Sequence, residues 1–168
     1  IVIEELKMSD EELRNINRIN IVACGSAYHA GMTGKYVMES LARIPVEVDL
    51  ASEFRYRDPI MEEGSLVIIV SQSGETADSL AALRECKARG FKILGIVNVV
   101  GSSIARESDM LVYTHAGPEI AVASTKAYMV QIAVMYMLSF ELAFAKGKID
   151  ENECKRLTAE LLAMPERI

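Results

Sequence analysis

The sequence predicts an α/β fold: a three-layer sandwich built on a five-stranded, parallel, doubly wound sheet with helices on both faces. Three observations carry that expectation. Strand-like and helix-like segments alternate along the chain, the pattern of successive β-α-β crossovers. The run "LVIIV" (66–70) is apolar at every position, as suits a central strand covered on both faces. The run "VEVDL" (46–50) instead alternates Val46, Val48 and Leu50 against Glu47 and Asp49. Alternation means one wet face, so this second strand belongs at a sheet edge, which favours the flavodoxin-like order 2-1-3-4-5.

The elements follow in order. Ser9-Asp10-Glu11-Glu12 is a capping box, in which hydroxyl and carboxylate satisfy each other's orphan backbone donors and start a short helix. "INIVAC" is the first strand, ending at Gly25, and a helical pattern then runs to about residue 43 before Pro45. After the two strands already described, residues 76–89 are helical, with Gly90 as the C-cap. "KILGIV" is the fourth strand, followed by a turn and a short helix around 102–107, and "MLVYT" is the fifth. A long helix over 123–146 and a last one over 150–164 complete the chain. Nothing suggests repeats, low complexity or a linker, so a single domain is expected: an N-terminal helix in 1–18, a core over 19–146 and a C-terminal helix in 147–168.

Composition narrows the function. With 168 residues and 51% hydrophobic content, the chain can close a sizeable core. A charged fraction of 25% and a mean hydropathy of +0.18 are those of a soluble globular protein. The net charge of −6, with no basic cluster, argues against a nucleic-acid surface. Cys24, Cys86 and Cys154 are odd in number and widely spaced, against a disulfide framework or a zinc site, so neither metal nor cofactor is expected and a reducing, cytoplasmic compartment fits. The start Ile1-Val2-Ile3 has no basic n-region and reads as a cut from a longer protein rather than a signal peptide. The apolar run over 127–140 falls short of the roughly 20 residues that cross a bilayer, so a buried core helix and no membrane partner are expected.

In doubly wound sheets, ligands bind beyond the carboxyl ends of the strands. That rule selects three loops: 24–27, 71–76 and 117–124. In the second, Ser71, Gln72, Ser73 and Thr76 stand between a buried strand and a helix N-terminus, whose free N–H groups favour an anion. Gly74 lets the backbone turn tightly. Any one of these hydroxyls is more simply a helix cap. Four donors in six positions favour a phosphate, held without a cation, with Glu75 and Asp78 pointing outward. A P-loop fails, because Gly34-Lys35 is followed by Tyr36 and His29 stands where a glycine is needed. No GxSxG elbow exists. His29 and Cys24 read as packing residues, and the Met and Tyr stripe over 128–136 as core. In the third loop, Ser124 and Thr125 suit helix caps and Val122 and Ser124 suit contact with a sugar; spacing alone does not choose.

Taken together, "ACGSAYHAG", "ASEFRYRDP", "SQSGETADSL", "GSSIARESD" and "EIAVASTKAY" resemble the first sugar isomerase (SIS) domain of the glucosamine-6-phosphate synthase family, over about residues 19–146. "SQSGET" alone indicates the wider SIS superfamily; "ASEFRYR" and "EIAVASTKA" indicate the synthases. The resemblance implies that Ser71, Gln72, Ser73 and Thr76 hold a sugar phosphate, that Gly25 and Ser26 form the first loop, and that Val122 and Ser124 line the sugar. It implies fructose 6-phosphate or glucosamine 6-phosphate as ligand, a homodimer, and a parent with a glutaminase domain, whose ammonia is channelled to the sugar, and a second SIS domain. One departure stands out: the family's Thr-Ser after Cys-Gly is here Ser26-Ala27, without the second hydroxyl. The family's Schiff-base lysine, isomerisation glutamate and ring-opening histidine belong to the second SIS domain and the C-terminal tail. This chain is therefore expected to hold substrate without turning it over, with Glu75 in solvent, Glu119 structural and Lys126 paired to a carboxylate. The other two readings are a non-enzymatic phosphosugar-sensing module and a self-sufficient SIS isomerase.

Overall fold

Five strands, β1 (Arg18–Ala23), β2 (Val46–Leu50), β3 (Ser65–Ser71), β4 (Lys92–Val97) and β5 (Met110–Tyr113), pair in parallel in the order β2-β1-β3-β4-β5. The computed structural model describes residues 3, 6–121 and 124–167. The order arises from where the apolar residues lie. All seven residues of β3 are buried, so it needs cover on both faces and sits centrally. Leu66, Ile68 and Val70 turn to one face with Ile19, Ile21 and Leu94; Val67 and Ile69 turn to the other with Val22 and Ile93.

The described residues hold seven helices: α1 (Asp10–Asn15), α2 (Gly25–Leu41), α3 (Ala51–Arg57), α4 (Ala77–Ala88), α5 (Ser103–Glu107), α6 (Lys126–Ala145) and α7 (Glu151–Leu162), the last packed on α6, with a 3₁₀ turn at Met164–Glu166. On the first face, α2 contributes Met38 and α6 contributes Val134, Met135, Leu138 and Leu142. On the second, α3, α4 and α5 contribute Phe54, Leu83, Cys86 and Ile104. The close packing of α2 on α6 depends on Gly34, where an added Cβ would lie 2.7 Å from Met135 Sδ. Burial pushes the Cys86 thiol up to about 12, so it is an inert core group.

The structure departs from the sequence expectation in three places. Residues 51–57 form α3, which the sequence pattern had not suggested; Ala51 and Phe54, one turn apart, are its only buried residues, too brief a stripe to show periodicity. On β2, Leu50 is 41% exposed although its alternation places it with Val46 and Val48. Its neighbour Asp49 is the more covered residue, because Arg57 closes over it: Nη2 lies 2.7 Å from Asp49 Oδ2 and 2.7 Å from Glu47 Oε1. Charge thus blunts this exposed edge. Finally, α6 is 20 residues long, so it is long and apolar enough to span a bilayer where the shorter run was not. About half of it is buried, with Val134, Met135, Leu138 and Leu142 in the core and the helix packed chiefly on α2.

The capping box of α1 is present: Ser9 Oγ accepts from Glu12 N at 3.2 Å and Glu12 Oε2 accepts from Ser9 N at 2.9 Å. Lys92 Nζ at the start of β4 adds a bond of 2.8 Å to Glu12 Oε1, tying α1 to the sheet. Chiefly through Lys92, and then the Ser9 amide, the Glu12 carboxyl is held down to about 2 from its usual 4.5. A folded pKa below the unfolded one stabilises fully above about pH 4.5, and that contribution is lost as pH falls through about 2. Glu12→Gln is therefore expected to melt below the parent at neutral pH, with the gap closing as pH falls from 4.5 toward 2 in thermal denaturation. A gap independent of pH would contradict the assignment.

Candidate functional site

Strands β1 and β3 are neighbours, and their helices leave to opposite faces, α2 to the first and α4 to the second. A crevice opens at such a switch point, and both helix N-termini point into it. The chain turns from β1 into α2 at Gly25, whose φ of +58° suits a residue without a Cβ. Cys24 holds the N-cap position of α2 and makes no side-chain capping bond. From β3, the buried Ser71 Oγ accepts from Gly74 N at 3.0 Å and lies 3.0 Å from Thr76 Oγ1. Ser73 Oγ accepts from Glu75 N at 3.2 Å. The loop thus braces itself with its own hydroxyls.

That bracing has a consequence for α4. Thr76 occupies its N-cap position, yet the hydroxyl caps nothing because it is engaged with Ser71. The first-turn amides of α2 and α4 therefore lack the side-chain acceptor that commonly covers such ends. The α2 start and the α4 N-cap border a cavity of about 290 Å³, lined by residues 24–27 of the first loop, residues 70–73 and Thr76 of the second, and Glu119, Ala121, Ser124 and Gln131 of the third side. No lysine or arginine is among those residues. What the α2 and α4 side offers is an anion site made of neutral donors and helix ends.

The third side differs. Glu119 caps α6 with its carboxylate, accepting from Thr125 N at 2.7 Å, Thr125 Oγ1 at 3.1 Å, Ala127 N at 3.2 Å and Ser124 Oγ at 3.2 Å. Ser124 and Thr125, held by Glu119, stand ahead of the helix, so α6 begins at Lys126; residue 123 of the expected helix lies outside the described residues. The same bonds, that of the Thr125 amide foremost, hold the Glu119 carboxyl below the usual carboxylate range. A carboxylate so satisfied is a poor proton acceptor near neutrality.

Glu75 is exposed and accepts from Ser103 N at 2.7 Å, so it caps α5, and that bond lowers its pKa. Lys126 is exposed and makes no ion pair among the described residues, where a carboxylate partner was expected. His29 lies outside the cavity wall, against the Tyr28 ring. Of the sequence-derived site residues, Gly25, Ser26, Ser71, Gln72, Ser73, Thr76 and Ser124 all line this one cavity. Val122 lies outside the described residues. Ala27, at the family departure, and Cys24 also line it. Gln131 was missed, since the stripe over 128–136 reads as core; its signal is a lone amide in an apolar run. A larger cleft of about 730 Å³ lies at the opposite, amino ends of β3 and β4, where Lys92 and Arg89 are engaged in ion pairs and no helix of eight or more residues begins.

The family model of the SIS domain matches residues 12–140. The chain belongs to the SIS domain family. Among SIS-containing relatives, it is 55% identical over 167 residues to the glutamine–fructose-6-phosphate aminotransferase (isomerizing) of Clostridium tetani and 54% identical over 167 residues to that of Clostridium acetobutylicum. Each alignment covers 99% of this chain but 28% of the relative, so the chain spans little more than a quarter of their length. Among solved structures, the C-terminal domain of glucosamine-fructose-6-phosphate aminotransferase from Francisella tularensis superposes with a TM-score of 0.88 at 43% identity, over 92% of this chain and 44% of that one. Glucosamine-6-phosphate deaminase from Thermotoga maritima, at 24% identity and a TM-score of 0.72, over 97% of this chain and 49% of that one, shares the fold. The SIS domain thus matches a partial segment of the aminotransferases.

The 71–76 loop has one position where geometry leaves no choice of residue. Gly74 has φ +67°, and an added Cβ would lie 2.0 Å from Ser102 Oγ and 2.5 Å from Ser102 Cβ. Its carbonyl also accepts from Ile104 N at 3.0 Å, locking the loop to α5. For Gly74→Ala, the left-handed backbone alone is expected to cost about 1 kcal/mol or more, roughly 2–4 °C of Tm, with the clash in addition. Adding Ser102→Gly should recover the clash but not the backbone strain. Gly74→Ala melting together with the parent would contradict the contact.

Proposed function

We propose that this SIS domain is the sugar-phosphate-holding half of the isomerase module of a glutamine–fructose-6-phosphate aminotransferase, the activity named for its relatives, which yields glucosamine 6-phosphate. The observation that carries this reading is the cavity where two uncapped helix N-termini meet the hydroxyls of Ser71, Ser73 and Thr76. A phosphate dianion there would take N–H and O–H donors from Ser26, Ser71, Gln72, Ser73 and Thr76, while Val122 and Ser124 would flank the sugar. The core over 19–146 carries all of these groups, with the segments 1–18 and 147–168 as flanking support. The parent would supply the glutaminase domain and the second SIS domain, and the setting would be cytoplasmic.

The domain by itself should hold substrate and not convert it. Moving a proton between two sugar carbons needs a base poised near the working pH and within hydrogen-bond reach. Glu119 is the one carboxylate on the cavity wall, and four donors keep it ionised. Those bonds disfavour a self-sufficient isomerase. Self-association fits the outer face of α6, where Met129 is 51% and Phe144 46% exposed, and a homodimer should appear in sedimentation at micromolar concentration.

Calorimetric titration with fructose 6-phosphate tests the site. Thr76→Val removes a hydrogen bond to a charged group, about 1.5–3 kcal/mol, or about 10- to 150-fold in affinity. Equal binding by parent and variant would contradict the phosphate assignment. Ala27→Ser, which supplies on the cavity wall the second hydroxyl that the family resemblance implies, should leave binding unchanged or tighten it. A large loss there would show that this loop packs differently from theirs.

A further inference from the structure

The apolar run over 127–140 of α6 contains two polar residues besides its tyrosines, Gln131 and Ser139. Both are buried, at 2% and 0% exposure, and their circumstances differ. Ser139 Oγ donates to Met135 O at 2.6 Å, the i−4 bond that lets a hydroxyl sit inside a helix at little cost. Gln131 has no such outlet: its Oε1 is buried with no hydrogen-bond partner among the described residues. A buried, unpaired amide oxygen costs stability, so it persists where something compensates. Gln131 lines the cavity described above, opposite the helix ends. Its near neighbour along α6, one turn on, is Met135, which packs on Gly34 of α2, so the backbone around Gln131 is fixed by helix packing.

The character of this wall sets what would pair with it. The α2 and α4 side presents hydroxyls and helix-end N–H groups; on the α6 side the Glu119 carboxylate is already taken up by four donors, which leaves the Gln131 amide oxygen as the acceptor without a partner among the described residues. The fully ionised phosphate group of a sugar phosphate has no proton to give an amide oxygen, whereas a hydroxyl of the sugar does. We propose that Gln131 is a specificity-determining residue that accepts a hydrogen bond from a hydroxyl of the bound sugar phosphate, directly or across one ordered water, and so fixes the polyol end of the ligand against α6 with the phosphate against α2 and α4. This assignment rests on the sugar-phosphate reading of the cavity and adds the group that reads the rest of the ligand.

Two probes separate the two readings. Gln131→Met keeps length and removes the amide, and its Tm should equal or exceed the parent's, because an unpaired buried polar group is lost. Its affinity for fructose 6-phosphate should fall about 2- to 12-fold, the worth of one neutral hydrogen bond, while its affinity for inorganic phosphate, which has no polyol end, stays that of the parent. In the unaltered chain, the side-chain NH₂ signals of Gln131 should shift on titration with fructose 6-phosphate and not with inorganic phosphate, a measurement that needs no variant to fold. A parent that binds neither probe would overturn the sugar-phosphate reading and this one with it. A parent that binds both, with Gln131→Met unchanged toward fructose 6-phosphate and the NH₂ signals unmoved, would overturn the role of Gln131 alone.

Discussion

Everything at the site depends on two helices of opposite faces starting, uncapped, at the carboxyl ends of adjacent strands. The sheet imposes this. Because β3 is apolar at every position from 66 to 70, it must be covered on both sides, so the crossover after β1 and the crossover after β3 leave in opposite directions. The residues at the two starts then decide whether the resulting partial charges are used internally or left for a ligand. Cys24 offers no acceptor to α2, and Thr76 is drawn to Ser71 and away from α4. The third helix bordering the cavity, α6, has its end filled by Glu119. One cavity thus has a side that favours an anion and a side that disfavours one, and the proposed sugar phosphate would lie with its phosphate on the first.

The absence of a cation from the lining has a physical benefit. A lysine or arginine would bind phosphate more strongly, but it would also bind any other anion, and its long side chain would have to be ordered each time. Hydroxyls braced by backbone, such as Ser71 on Gly74 N, are already fixed before ligand arrives. Preorganisation lowers the cost of binding. The Gly74 to Ser102 contact extends that rigidity into α5, so the loop is anchored at strand, helix and neighbouring helix.

The sheet was legible in the sequence because strand burial is a one-dimensional signal. The unbroken run of β3 and the alternation of β2 gave its order, which the structure shows. The hydroxyl loop was legible for a similar reason, as Ser71, Ser73 and Thr76 lie within six positions at a predictable strand end. What escaped detection depends on contacts between distant segments. Arg57 covers Asp49 while Leu50 is left exposed, and α3 has too short an apolar stripe to declare itself. Glu119 shortens α6 through bonds that no local pattern reveals. Gln131 was invisible as a site residue because its missing partner, the decisive fact, exists only in three dimensions.

The most direct measurement is a map of backbone amide shifts of the 168-residue chain titrated with fructose 6-phosphate. Saturable shifts concentrated at Gly25, Ser26, Ser73, Ala77 and Asp78, the amides at the two uncapped helix starts and their loops, are the result the account predicts. Shifts concentrated instead at Phe91 and Lys92 in the larger cleft, or no saturable shifts at all, would contradict it.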